Sequence, residues 1–191
     1  MGMIGILGGT FDPPHNAHLA MAETAKEKIP LDRVLFMPAP EPPHKPPRRM
    51  SAYPDRLRMV ELLIDGHSGL ELSRLEEFRE GPSYTVDLLR HFRQNSADEV
   101  FLIIGADSLS DLPGWKDPEG ILQLATLVVF PRTGYRPVLT VGGGAALVVF
   151  EEPVIDISSS DIRREMAAGR EADRYLVPSV REYIAARSLY R

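Results

Sequence analysis

Residues 100–105 read VFLIIG, apolar at every position up to a glycine. A strand with one wet face alternates apolar and polar side chains, so a run without alternation belongs to a strand covered on both faces. Parallel sheets sandwiched between helices have that character. TLVVFP (126–131) and ALVVFEE (146–152) repeat the pattern, with shorter apolar runs at 3–7 and in RVLFMP (33–38), while LELSRL (70–75) alternates like a half-buried strand. Helical patterns fall between them. Residues 16–28 are rich in Ala, Met, Glu and Lys. Ser51 is placed to cap a helix through 63 with Leu57, Val60, Leu63 and Ile64 on one face, and Ser83 to cap another that carries Val86, Leu89 and Phe92. SSSDIRREMAAG and PSVREYIAARSLY supply two more, the second with Pro178 at an early helical position. The expectation is an α/β fold with a doubly wound, mainly parallel sheet, in one domain over 1–191 whose part from about 157 is helical.

Composition narrows the functional classes. With 43% hydrophobic and 26% charged residues the chain is ordinary for a globular protein, and no stretch reaches the ~18 apolar residues of a membrane span. The start lacks the basic-then-apolar pattern of a secretory signal, so the simple expectation is a cytoplasmic location. There is no cysteine, which removes disulfides and thiolate metal sites. A net charge of −5 argues against a general nucleic-acid binder. APEPPHKPPRRM (39–50) is too rich in proline for a helix or a central strand.

In doubly wound folds ligands bind beyond the carboxyl ends of the strands, and polar clusters follow several of the expected strands. After the first comes GGTFDPPHNAH (8–18). Gly8 and Gly9 permit close approach, and their amides with those of Thr10 and Phe11 have the makings of an anion cradle. A helix beginning near Pro14 or His15 projects His15 and His18 from its first turn on one side, where anions are favoured. The bland alternative is a turn with Asp12 as helix cap and incidental histidines; a shared metal on the two rings is a third possibility, without an evident third ligand. Further on, ISSSDIR (157–163) gives a capping-box start in Ser158 and Asp161. The hydroxyls of Ser159 and Ser160 with Arg163 suit a phosphate there, or simply belong to a capped helix.

GGTFDPPHNAH resembles the T/HxGH signature of the nucleotidyltransferase superfamily, in which paired histidines contact the phosphates of ATP. More narrowly, it is similar to the opening of the bacterial nicotinate mononucleotide adenylyltransferases. Ala17 stands where the superfamily usually has glycine, a difference that bears on how closely a nucleotide approaches. ISSSDIR resembles the family's ISSTxIR motif, with Ser160 keeping the hydroxyl of the usual Thr. PPHK (42–45), PSYTVD (82–87), GADSLSDLPGWK (105–116) and PRTGY (131–135) follow in the family's order.

The resemblance implies a Rossmann-like nucleotidyltransferase fold. It implies attack of the 5′-phosphate of nicotinic acid mononucleotide on the α-phosphorus of ATP, giving deamido-NAD and pyrophosphate. It assigns His15, His18, Lys45 and Arg163 to the ATP phosphates, with Gly8, Gly9, Thr10, Phe11, Ser158, Ser159, Ser160, Gly105 and Arg132 also on ATP. Tyr84, Thr85, Asp107 and Trp115 go to the mononucleotide, Thr85 beside its carboxylate and Trp115, the single tryptophan, stacked on its ring. Mg²⁺ accompanies ATP, held by phosphates and water rather than by a protein cage. Three readings compete: a sister enzyme using nicotinamide mononucleotide or phosphopantetheine, a non-catalytic nucleotide sensor, and a Rossmann dehydrogenase. The glycine spacing and the lack of an acidic residue ending the second strand speak against the last.

Overall fold

A computed structural model describes residues 1–43, 50–77, 81–138, 146–151, 156–170 and 172–191. Six strands form one sheet in the order β3-β2-β1-β4-β5-β6: β1 Met3–Gly9, β2 Arg33–Pro38, β3 Leu70–Leu72, β4 Glu99–Gly105, β5 Thr126–Phe130 and β6 Leu147–Val149. Every pairing is parallel. The helices are α1 Asn16–Lys28, α2 Tyr53–Ile64, α3 Thr85–Asn95, α4 Ala106–Asp111, α5 Pro118–Leu124, α6 Ser159–Ala167 and α7 Pro178–Ala186. This is the doubly wound arrangement expected from the unalternating strands.

The reason those strands carry no polar face is visible in the packing. Alternate residues feed two separate cores. Leu7, Val34, Phe36, Ile103 and Val128 pack under α1, α2, α6 and α7. Ile6, Leu35, Leu102, Ile104 and Val129 pack under α3, α4 and α5. Each fully buried aliphatic or aromatic side chain contributes about 1.5–3 kcal/mol, so the central strands are the firmest part of the molecule.

Some boundaries differ from the sequence reading. β1 runs on through Gly9, β3 stops at Leu72 and β6 holds only three residues. Ser51 and Ser83 do not cap helices: the N-cap positions are Ala52 and Tyr84, neither with a side-chain cap bond. Ser51 instead uses its backbone, with its N–H donating to Asp12 and its carbonyl accepting from Arg56. The segment between β4 and β5 folds into the short helices α4 and α5, the second capped by Asp117. Pro178 does open α7, and Ser158 and Asp161 do form a capping box at α6.

The register explains where a ligand fits. β1 and β4 pair from Met3↔Glu99 to Ile6↔Leu102 and no further. β1 stays with β2 as far as Gly9↔Pro38, and β4 stays with β5 as far as Gly105↔Phe130. The two central strands therefore part company beyond Ile6 and Leu102, at the point where the strand order reverses.

Candidate active site

That parting opens a cleft of about 430 Å³, lined by the ends of β1, β4 and β5 and by the first turns of α1, α3, α4 and α6. Helix N-termini present unbonded N–H groups and partial positive charge, so their convergence favours anionic ligands.

The first wall is the opening loop with α1 and α6. A β-carbon on Gly8 would meet nothing within 4 Å, so its backbone is bare toward the cleft. Gly9 leaves room for the ring of Phe11, which is 1% exposed. Phe11 thus departs from its expected place: it lies under the loop, edge-on to His18 at 4.9 Å, rather than on the cleft wall. His15 is the N-cap of α1 and His18 stands three residues on, with ring centroids 3.8 Å apart, and both line the cleft. The Asp12 cap reading is thereby set aside. The His15 N–H donates to Nδ1 of His18 at 3.2 Å, which fixes the neutral His18 tautomer with its proton on Nε2. His15 is 4% exposed and its Nδ1 has no hydrogen-bond partner. Burial, and secondarily the positive charge of Arg132, lower its pKa to about 3, so the ring is neutral.

α6 faces α1 across this end of the cleft. Ser158 caps the helix, exchanging hydrogen bonds with Asp161. The hydroxyl of Ser159 donates to the carbonyl of Pro13 at 2.8 Å, so it braces the opening loop and does not offer its proton to a ligand as expected. Arg163 donates to the carbonyl of Asp12 at 2.6 Å and to the hydroxyl of Ser160 at 3.1 Å, behind the residues that line the cleft. Ser158, Ser159 and Ser160 remain on the wall with the helix N-terminus. Lys45 and its neighbour His44 lie outside the described residues.

The opposite wall is built from α3, α4 and the turn before α5. The loop after β2 is tied to it, the Ser83 N–H donating to the Glu41 carbonyl at 2.8 Å. Tyr84 caps α3 and Thr85 begins it, both half-buried on the cleft. Nζ of Lys116 lies 4.6 Å from the centroid of the Tyr84 ring and donates to Asp87 at 2.8 Å. Trp115 is half-buried, with one side on the core beneath α3 and the other on the cleft. Asp107 sits in the first turn of α4, its carboxylate folded back so closely over Gly105 that a β-carbon there would lie 2.4 Å from Oδ1. Arg132, after β5, joins the two walls: it donates to the Ile157 carbonyl at 3.2 Å and has Asp107 and Asp156 each at 3.9 Å.

Sequence reasoning missed the residues that hold the first wall from behind. Arg56 is 1% exposed and donates to the carbonyls of Thr10, Ala39, Pro40 and Ser51. The Asp12 carboxylate, also 1% exposed, accepts from Tyr190. A readable signal existed for Arg56, which occupies the apolar stripe of α2 with Met59, Val60 and Leu63.

Residues 6–165 match the cytidylyltransferase-like family. A probable nicotinate-nucleotide adenylyltransferase of Thermomicrobium roseum is 43% identical over 100% of this chain and 92% of its own length. One from Roseiflexus sp. is 43% identical over 98% of each. Among solved structures, a Plasmodium falciparum nicotinic acid mononucleotide adenylyltransferase complexed with NaAD superposes with a TM-score of 0.83 over 100% of this chain and 98% of that one, at 19% identity. A putative nicotinate-nucleotide adenylyltransferase from Vibrio parahaemolyticus does so at 0.73, over 100% and 96%, with 23% identity. At these identities the two structures bear on the fold.

Proposed function

Because this chain belongs to the cytidylyltransferase-like family, among its nicotinate-nucleotide adenylyltransferases, we propose that it transfers the adenylyl group of ATP to nicotinic acid mononucleotide, as a step of NAD biosynthesis. The products are deamido-NAD and pyrophosphate. The observation that carries the reading is that the N-termini of α1, with its histidine pair, and of α6, with its serines, line one cleft whose other wall offers Thr85, Asp107 and Trp115.

The chemistry asks little covalent help of the protein. An oxygen of the mononucleotide 5′-phosphate forms a bond to the α-phosphorus of ATP, and the bond from that phosphorus to the oxygen bridging toward the β-phosphate breaks. The electron pair leaves with pyrophosphate. The protein's share is alignment and stabilisation of charge at the α-phosphate and the leaving group. His18 suits the α-phosphate, since its Nδ1 is occupied in accepting from the His15 backbone N–H and Nε2 is the ring nitrogen left to donate. His15, kept neutral by burial, adds a second imidazole without adding charge. Amides at the start of α6 suit the outer phosphates, with Lys45 added by resemblance; Arg163, which the resemblance also gives to the phosphates, braces the Asp12 carbonyl and Ser160 from behind the wall. ATP enters as its Mg²⁺ complex. The resemblance has that ion carried by phosphates and water.

On the acceptor side the Asp107 carboxylate suits ribose hydroxyls and Trp115 the pyridine ring. The N-terminus of α3 offers amides and partial positive charge beside Thr85, which suits the nicotinate carboxylate. Both substrates are dissolved nucleotides, which suits a cytoplasmic enzyme; among the described residues no helix is long and apolar enough to cross a membrane.

Pyrophosphate release tests the proposal. With ATP and Mg²⁺, release is expected with nicotinic acid mononucleotide and not with phosphopantetheine or without acceptor. ATP binding with no release under any condition would leave a nucleotide sensor, and release with phosphopantetheine would leave a sister transferase.

A further inference from the structure

The turn that joins β1 to α1 has few backbone partners of its own. Beyond Gly9, whose carbonyl accepts from the Ala39 N–H, its polar groups are held by side chains from distant parts of the chain. The Thr10 carbonyl is taken by Arg56, the Asp12 carbonyl by Arg163 and the Pro13 carbonyl by Ser159. At the centre is the buried Asp12 carboxylate, which accepts from the Ser51 N–H at 3.3 Å and from the Tyr190 hydroxyl at 2.6 Å. Burial and the neighbouring Asp12 raise the pKa of Tyr190, which keeps its hydroxyl protonated as a donor. Tyr190 stands 178 residues from Asp12 in sequence and is not among the residues that line the cleft. Its backbone occupies the left-handed region at φ 62°, uncommon for a bulky residue and often associated with a functional constraint.

We propose that Tyr190 is a positioning residue for the ATP-binding turn, acting through Asp12; this rests on the reading of the cleft as an adenylyltransfer site. The hydroxyl fixes the Asp12 carboxylate, and the carbonyl of the same residue is fixed by Arg163, so residue 12 is held from both ends. The turn it anchors leads directly into His15 and His18. Tyr190 touches no substrate, and its effect reaches ATP only through the geometry of that turn. Its ring packs against the core beneath α2 and α7, so replacing it with phenylalanine removes the hydroxyl and keeps the packing.

The test compares the whole chain with Tyr190→Phe, Asp12→Asn and the double variant, measuring kcat and KM for each substrate. Tyr190→Phe is expected to lower kcat/KM for ATP about fivefold or more while KM for the mononucleotide stays within about twofold. In the Asp12→Asn background the same change is expected to add less than about twofold, because both act on one contact. Equal losses on both substrates, no loss on ATP, or fully additive losses would each overturn the proposal. Should Tyr190→Phe not fold, Asp12→Asn alone must show the ATP-selective loss, and its absence would overturn the proposal. Calorimetric titration with Mg²⁺-ATP separates this from the broader reading. A wild type that binds ATP without releasing pyrophosphate fails the adenylyltransfer reading alone, and weaker ATP binding by Tyr190→Phe would still support the positioning role. Equal ATP binding by the two would overturn it, and a wild type that does not bind ATP would remove both.

Discussion

On the α1–α6 side of the cleft, the side chains that shape the wall are interior and bonded across long stretches of sequence. Asp12 and Arg56 are each 1% exposed, and their partners are carbonyls, an amide and a tyrosine hydroxyl. On the α3–α5 side, the corresponding contacts are surface ion pairs, Lys116 with Asp87 and Arg90 with Asp117. Pairs of the second kind contribute up to about 1 kcal/mol and weaken with salt, whereas stripping a partner from a buried charge costs about 3–5 kcal/mol. The wall assigned to ATP is therefore set by the interior. The wall assigned to the acceptor is tuned at the surface, where a change of substrate preference disturbs little else.

The sharpest way to break this contrast is Arg56→Ala. It removes the guanidinium hydrogen bonds to the carbonyls of Thr10, Ala39, Pro40 and Ser51 and a positive charge near the buried Asp12. A loss of about 3–5 kcal/mol in urea-unfolding stability is expected; a loss below about 1 kcal/mol would mean the first wall is no firmer than the second. His18→Ala addresses chemistry rather than stability. Turnover is expected to fall at least about tenfold, equivalent to ~1.4 kcal/mol or more, with folding intact by circular dichroism. Unchanged turnover would remove His18 from the transition state.

A pH series tests the burial of the same wall. The folded-state pKa of His15 lies at about 3, below its ordinary 6.5, so between those values the unfolded chain binds a proton that the folded protein does not. Stability from this ring is full above pH 6.5 and is lost as pH falls, at about 1.4 kcal/mol per pH unit. Urea midpoints of wild type and His15→Asn measured from about pH 7 to pH 5 should converge by that slope. Parallel lines would show that His15 is solvated. The smallest effect is expected on the second wall: Trp115→Ala should raise KM for the mononucleotide by up to about tenfold, the scale of ~0.5–1.5 kcal/mol for one aromatic contact, with KM for ATP unchanged. A rise for ATP instead would merge the two walls.

The same division governs what could be read from the chain. The parallel sheet, the histidine spacing and the Ser158 cap were legible because each is a local pattern of period or spacing. Asp12 and Tyr190 were not, since a hydrogen bond across 178 residues leaves no local trace. Ser51 and Ser83 carry the chemistry of helix caps but each sits one residue before the N-cap position, and their backbones go to loop contacts instead. Phe11 read as a loop residue because of its glycine neighbours, yet its ring fills the core under them. Trp115, given to the pyridine ring by resemblance, has one side on the cleft and the other on the core.

The most direct measurement is a competition. ATP and Mg²⁺ are supplied with equal amounts of nicotinic acid mononucleotide and nicotinamide mononucleotide, and the dinucleotide products are resolved by mass spectrometry. The account predicts deamido-NAD in large excess over NAD, at a rate matching pyrophosphate release. An equal mixture, or NAD in excess, would contradict the assignment of the α3–α5 wall to a carboxylate-bearing acceptor.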